Sequence, residues 1–374
     1  MKRAALAFLL ACGAHGADVV VLDGAGVEFM HDALARIACP FDRAAAPGAN
    51  HRIAILCGKD VRADAKGVAK FLEEGGRVLA VGGGAKWMLD AGLFEARGYY
   101  PSGTTEHFAT FAGYHRITAC YPLAKPADNC LTGVPSLLRA TGGPLMRLGP
   151  RATSVLSAGE PFSIAAFQRV GKGPALLAGA DPQGGNEVLA LGGKPVPKRG
   201  DLLGTDPLLA GALAWLRDPG CNLIPNSGFE QSIDGNGERS RWDFILANGG
   251  TFEWSHADAP EGTTFLKITG AKPDSRAVAA IHRPIIVEGG AVYRFSCRQR
   301  STAAWSLDVR RFRSATEVET KVAPQTIAVP AASEWQRFET TVAVPDGASL
   351  LGLVLRVQGA GTLEVDELTL TRLP

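Results

Sequence analysis

The chain has 374 residues, more than one average domain needs, and 46% apolar against 20% charged residues permit a packed core and exclude a disordered chain. A net charge of +2 argues against broad electrostatic capture of nucleic acid. Past the N-terminus no apolar run is long enough to span a bilayer.

Met1-Lys2-Arg3 is a short positive segment, Ala4 to Ala11 is compact and apolar, and small residues lead on to Asp18. That order reads as an export signal over residues 1–17, since the stretch is too short for a membrane span. A second reading is open: Leu9-Leu10-Ala11-Cys12 resembles a bacterial lipobox, which implies a lipid anchor at Cys12. Either way the expectation is an exported protein, whether secreted, periplasmic or held at the cell surface. Of seven cysteines, Cys120 and Cys130 are the one close pair, and no spacing matches a zinc site. Cys57 closes an apolar strand and Cys297 alternates with Tyr293 and Phe295, so both read as buried thiols.

From Asp18 strands and helices alternate. Asp18–Leu22, Arg52–Cys57 and Arg77–Val81 are continuous apolar runs, separated by helical spacing over Val27–Ile37 and Ala63–Glu74. Such a pattern predicts a parallel sheet covered on both faces. Ser163–Val170 and Pro174–Gly179 flank Gly171-Lys172-Gly173 as a hairpin, and Asp206–Arg217 is an amphipathic helix. Asp218-Pro219-Gly220 then marks a boundary, giving a first domain over 18–218 and a second over 219–374. Beyond it helical spacing vanishes. Strand-like runs follow at Thr251–Ser255, Phe265–Thr269, Val278–Val287, Ala291–Arg298, Trp305–Phe312, Trp335–Val344, Leu350–Val357 and Thr362–Leu370. Short strands with Gly, Pro and Asp between them predict an all-β jelly-roll sandwich.

The first domain, through Phe71-Leu-Glu-Glu-Gly-Gly-Arg-Val-Leu-Ala-Val-Gly-Gly-Gly84 and Arg169-Val-Gly-Lys-Gly-Pro-Ala-Leu-Leu-Ala-Gly-Ala180, resembles the class I glutamine-amidotransferase-like fold in its ThuA-like branch. The resemblance implies a flavodoxin-like three-layer α/β architecture. Catalytic members place a Cys at a sharp elbow after the third strand, served by a His. Here that turn reads Gly82-Gly83-Gly84-Ala85-Lys86, so amidase chemistry is not carried over, and His107 and His115 have no nucleophile to serve. The triple glycine has two readings: a phosphate cradle at a helix N-terminus, or a place of close backbone approach.

The second domain carries Asn222-Leu-Ile-Pro-Asn-Ser-Gly-Phe-Glu230, Arg241-Trp242, Gly262-Thr-Thr-Phe-Leu-Lys-Ile268, Tyr293-Arg-Phe-Ser296, Trp335-Gln-Arg-Phe338 and Gly361-Thr-Leu-Glu-Val-Asp-Glu-Leu368. In that order they resemble carbohydrate-binding modules of families 4, 9 and 22, with a galactose-binding-like jelly roll. The resemblance implies a structural calcium ion between the opening turn and the closing strand, with Glu230 and Asp366 as carboxylate ligands and Gly228 offering a carbonyl. The alternative is that Phe229 plugs the core and Glu230 caps a turn.

Sugar recognition needs aromatic faces and polar groups that fix hydroxyls. Alternation places Trp305, Leu307 and Val309 on one side of their strand and Asp308, Arg310 and Phe312 on the other. Arg294, Ser296 and Arg298 point outward from theirs, and Val354, Arg356 and Gln358 oppose Leu353, Leu355 and Val357. The candidate ligand-binding residues are Arg298, Arg310 and Phe312, with Trp254 and Trp305 as aromatic platforms; Trp242 and Trp335 match core positions. The outward arginines raise an anionic glycan as ligand, against ordinary solvated pairing with carboxylates. The expected function is binding of a polysaccharide or oligosaccharide by the jelly roll, with the first domain as scaffold or interaction surface. The rival is a hydrolase acting on glycosyl bonds, or a glycoside-hydrolase accessory subunit.

Overall fold

The computed structural model describes residues 17–101, 106–111, 113–118, 137–141, 143–158, 161–179, 188–189, 205–230, 242–281, 284–313 and 324–374. Cys12, His107, Cys120, Cys130 and Arg241 fall outside the residues whose side chains are described.

Five strands of the first domain run parallel in the order Asp42–Ala44, Val19–Leu22, Ile53–Leu56, Arg77–Val81, Gly173–Ala178. Numbered along the chain among these five, the order is 2-1-3-4-5. Their apolar runs are continuous because both faces are covered. Val19 and Val21 pack on one side with Met30, Leu34, Leu213 and Leu216. Val20 and Leu22 pack on the other with Val68, Leu72, Ala85 and Met88. The helix Ala65–Glu73 starts where the Asp64 carboxylate accepts the N–H groups of Lys66 and Gly67, at 3.3 and 2.9 Å.

The sheet is mixed rather than purely parallel. Phe162–Val170 returns antiparallel to Gly173–Ala178, as the hairpin predicts, and Thr153–Ser157, Glu106–Phe111 and Leu137–Thr141 extend it antiparallel. A further helix, Gly83–Asp90, follows the Arg77–Val81 strand directly.

The helix Thr205–Arg217 buries Leu213, Trp215 and Leu216, and Arg217 pairs with Asp18 through two contacts of 3.0 Å. After it come only strands among the described residues, in a six-stranded and a five-stranded sheet. The six-stranded sheet runs Trp242–Ala247, Arg276–Ile281, Leu350–Gln358, Trp305–Phe312, Gln325–Val329, with Ile285–Ile286 also on Leu350–Gln358. The five-stranded sheet runs Gly250–Ser255, Phe265–Gly270, Gly361–Arg372, Val292–Ser301, Ala332–Ala343. Both are antiparallel, and Trp242, Ile268, Phe295, Leu307, Leu355 and Leu368 fill the space between them. The expected Val278–Val287 strand divides in two before Pro284, whose ring removes a ladder donor.

The two units share a core. Ile286 and Leu350 of the sandwich belong to the apolar cluster under the helix Thr205–Arg217. Ile286 N–H donates to Tyr114 O and Tyr114 N–H to Pro284 O, both at 2.8 Å. Beside this seam Glu288 accepts from Arg169 at 3.1 Å and from Arg372 at 3.0 Å. His115 lies at the same seam, 4% exposed, against the Phe167 and Trp215 rings. Burial pushes its imidazole down to about 3, and its Nδ1 accepts from Ile117 N–H, so the neutral form is the one held. The unfolded chain takes up a proton near pH 6.5 and the fold does not. Stability is therefore complete above pH 6.5 and falls as pH drops below it, by about 2 kcal/mol at pH 5. In denaturant unfolding at pH 7 and pH 5 the wild type should lose about 2 kcal/mol more than His115→Asn does, a difference in which the other titrating groups cancel.

Candidate functional site

Strand pairing sorts the candidate residues by face. On the outer face of the six-stranded sheet the registers Phe312↔Leu350, Arg310↔Gly352, Asp308↔Val354 and Ser306↔Arg356 form four successive rows. Ala280 and Asp243 continue the third row, Val278 and Ile245 the fourth. Thr326 flanks Asp308 on the opposite side.

Asp308 is only 4% exposed although it points away from the sandwich core. Its carboxylate accepts from the Arg356 guanidinium at 2.5 Å and from the Thr326 hydroxyl at 2.9 Å. Arg356 Nε–H is buried without a partner. Arg310 is exposed, and among the described residues no hydrogen bond or ion pair engages it. Phe312 is half-buried, with its ring edge 3.2 Å from where a Cβ on Gly352 would stand. A paired but incompletely satisfied charge, a free guanidinium and an aromatic ring thus share one sheet face. Asp308 and Arg356 were legible as outward-pointing from alternation alone; what alternation did not show is that they pair and sink into the surface.

The other expected ligand residues lie elsewhere. Arg298 is on the outer face of the five-stranded sheet, on the opposite side of the sandwich from Arg310, and pairs with Glu367 at 3.7 Å. Neighbouring Arg294, Arg300 and Arg337 are likewise paired, with Glu339 or Glu364. This is the ordinary solvated arrangement, and Arg298 and Arg310 do not form one site. Trp305 is 3% exposed in the sandwich core and offers no face to a sugar; its inward parity puts it there. Trp254 is half-buried, packed against Phe229 and edge-on to Phe244. Trp242 is fully buried, whereas Trp335 is half-buried, edge-on to Phe265 with Arg300 5.1 Å above its ring.

The opening turn and closing strand do meet. Glu230 accepts from Thr263 N–H at 2.8 Å, the Thr263 hydroxyl at 2.7 Å and Thr264 N–H at 3.0 Å. Burial acts upward on its acidity, but these bonds outweigh it and hold the carboxyl below the usual range. Gly262 faces Glu230 so closely, with φ at +64°, that a Cβ there would stand 2.1 Å from Oε1. Asp366 is 0% exposed and accepts from Glu367 and Glu261 N–H groups. Burial first, and then the nearby Glu367 and Glu230 charges, push it up to about 6. A Cβ on Gly228 would stand 3.8 Å from Asp366 Oδ1 and 3.9 Å from Glu230 Cγ. Among the described residues no group of three or more His, Cys, Asp or Glu is placed to hold a metal. A cation here would therefore rest on two carboxylates and backbone carbonyls, which is a donor set calcium accepts. Asp366, buried and beside the Glu230 and Glu367 carboxylates, fits that role. Phe229, at 0% exposure, also plugs the core.

In the first domain, Gly82 links strand to helix with φ 57° and ψ −115°. That is a sharp elbow, and a Cβ at Gly82 would meet nothing within 4 Å. The side-chain position is open, and no nucleophile stands on it. A Cβ on Gly83 would lie 1.9 Å from Gly58 O, and one on Gly84 2.0 Å from Leu56 O. Carbonyl oxygens pressed against both glycines would repel an anion, so the triple glycine serves close backbone approach and not a phosphate cradle. Cys57 nearby is buried, which pushes its thiol up to about 12 and leaves it inert. Cys297 is buried too and its thiol is raised by the same cause.

No protein-family model matches the chain, and no curated protein matches it. Among solved structures, the enzymatically active domain of bacteriophage CBA120 tailspike protein 4 is 13% identical with a TM-score of 0.34; the match covers 41% of this chain and 21% of that one. TmCBM61 in complex with beta-1,4-galactotriose is 15% identical with a TM-score of 0.30, over 41% of this chain and 99% of that one. A family 16 carbohydrate-binding module is 18% identical with a TM-score of 0.31, over 40% of this chain and 99% of that one.

Proposed function

We propose that this is an exported carbohydrate-binding protein whose sandwich holds a saccharide on the outer face of the six-stranded sheet. The observation that carries the reading is the Asp308–Arg356 pair, sunk into an outward-facing surface beside the exposed Arg310. Solvated charges have no need to be buried on an outer face; a charged pair held in place there presents polar groups at fixed positions to ligand hydroxyls or carboxylates. Phe312, at the end of the same face, packs against the apolar cluster under the helix Thr205–Arg217 and is left out of the proposed site. Glu230, Asp366 and the Gly228 carbonyl would hold a structural calcium ion, which would offset the Asp366 charge and pin the first segment of the sandwich to the last.

The first domain is read as a scaffold of flavodoxin-like, amidotransferase-like type. Its 2-1-3-4-5 strand order is that of one common doubly wound sheet. With glycine at the elbow it lacks the group that would form an acyl intermediate. The purified protein, applied to an immobilised panel of neutral and acidic polysaccharides, is expected to be retained by at least one without releasing reducing ends. Absence of retention on every polysaccharide overturns the binding reading, and sustained release of reducing ends overturns the non-hydrolytic one.

A further inference from the structure

A sheet edge offers unpaired N–H and C=O groups, and a globular chain defends it with charge or with small side chains. On the five-stranded sheet, Ala332–Ala343 carries Glu334, Arg337 and Glu339, and Gly250–Ser255 carries Glu253, paired with Lys267 at 3.3 Å. On the six-stranded sheet, Gln325–Val329 exposes only Thr326 and Ala328. Trp242–Ala247, the opposite edge, is not defended in this way. Ile245 is 53% and Leu246 39% exposed, next to each other in sequence, and Asp243 is the strand's one charge. Its backbone pairs with Arg276–Ile281 on one side, and among the described residues no strand lies on the other. Behind it Phe244 stacks on Phe252 at 3.8 Å, so the strand stands on an aromatic base.

We infer that this edge pairs with the same edge of a second copy, antiparallel about a two-fold axis at Ile245, and joins two sandwiches through one continuous sheet. Because side chains alternate between faces, a two-fold axis perpendicular to the sheet passes through a residue and not between two. Centred on Ile245, it sets that side chain against its own counterpart on the outer face. Phe244 then meets the partner's Leu246 on the inner face. Centred on Phe244, it would set Asp243 against the partner's Ile245, a charge against an aliphatic side chain. The Ile245 register also answers a charge. Arg276 is exposed on the outer face beside Ala247, and among the described residues no group pairs with it. In the dimer Ala247 stands opposite the partner's Asp243, which lies about 10 Å from Arg276 across two strand spacings. An arginine lying over the small Ala247 side chain spans that distance, and the symmetry makes the contact twice. A strand of six residues buries less than a standard interface, so the association is weak and depends on concentration. The inference does not rest on the saccharide-binding reading, but it sets both outer faces on the same side, where one polymer can engage two copies.

Sedimentation equilibrium of the full chain between about 1 and about 200 μM should show a monomer–dimer equilibrium with a dissociation constant on the order of 10 μM. Ile245→Lys, which places a charge on the axis, should weaken it at least about tenfold, and Arg276→Asp at least about fivefold. Val292→Lys, at an exposed apolar position on the other sheet, should change it less than about twofold. Both edge side chains are exposed, so each variant should keep the wild-type unfolding midpoint, and Arg276→Asp decides the matter if Ile245→Lys does not. Since the axis passes through Ile245, Ile245→Cys should be cross-linked to its own counterpart by a short bismaleimide, at a yield that wild type and Val292→Cys do not reach. Protein that stays monomeric at every concentration overturns the inference. A dimer that Ile245→Lys and Arg276→Asp leave unchanged overturns the assignment of this edge, and growth beyond the dimer overturns the closed two-fold pairing.

Discussion

Calcium added to chelator-treated protein is expected to raise the unfolding midpoint, and the chelated protein should regain it fully on re-addition. At a calcium concentration a hundredfold above the dissociation constant the gain is about 2.7 kcal/mol. The physical reason lies in Asp366. It is a wholly buried carboxylate with Glu230 and Glu367 nearby and only backbone N–H donors in contact, so its ionised form is held at a cost that a divalent cation removes. Asp366→Asn should abolish the calcium response. Because it also deletes the buried charge, it should leave the metal-free protein no less stable than metal-free wild type. Equal midpoints for wild type with calcium and with chelator would rule out the clasp, as would an Asp366→Asn variant that still responds.

Glu288→Gln is expected to give the other large effect. Glu288 is the shared acceptor of Arg169 from the first domain and Arg372 from the last strand, with side-chain exposures of 14, 22 and 23%. Removing the acceptor charge leaves two largely buried guanidinium groups facing each other without compensation. The loss is on the order of 3 kcal/mol, the scale for breaking a buried pair from one side. Calorimetry should show it together with a second feature: the single unfolding transition expected of wild type splits into two, because the variant weakens the seam that joins the two units. An unchanged single transition would show that the shared apolar cluster alone couples the domains.

The chain order of the main elements was legible because burial leaves a strong trace. Continuous apolar strands are two-face strands, and Val19, Val20, Val21 and Leu22 show it by packing alternately on opposite sides. Trp305–Phe312 and Arg77–Val81 have the bounds their periodicity predicts. What escaped were elements with weak local signals. The helix Gly83–Asp90 begins with two glycines, poor helix formers, and exists because its Ala85 and Met88 pack on the sheet. Gln325–Val329 is an edge strand whose outward Thr326 and Ala328 are exposed, stabilised by its ladder with Trp305–Val309.

Site residues divided along the same line. Alternation tells which side of a strand a residue occupies but not which sheet the strand joins, so Arg298 and Arg310 read alike and ended on opposite faces of the sandwich. Parity already set Trp305 inward, and its aromatic character gives no licence to expect a platform there. Seam residues such as Glu288 and His115 carry no local pattern at all, since their partners come from segments over a hundred residues away or from packing of the helix Thr205–Arg217.

A crystal structure of the full chain soaked with the tightest-binding oligosaccharide tests the central claim most directly. The account predicts sugar density on the outer face of the six-stranded sheet, in contact with Arg310 and Arg356. Density confined to the five-stranded sheet, to the sandwich loops or to the elbow at Gly82 would contradict it.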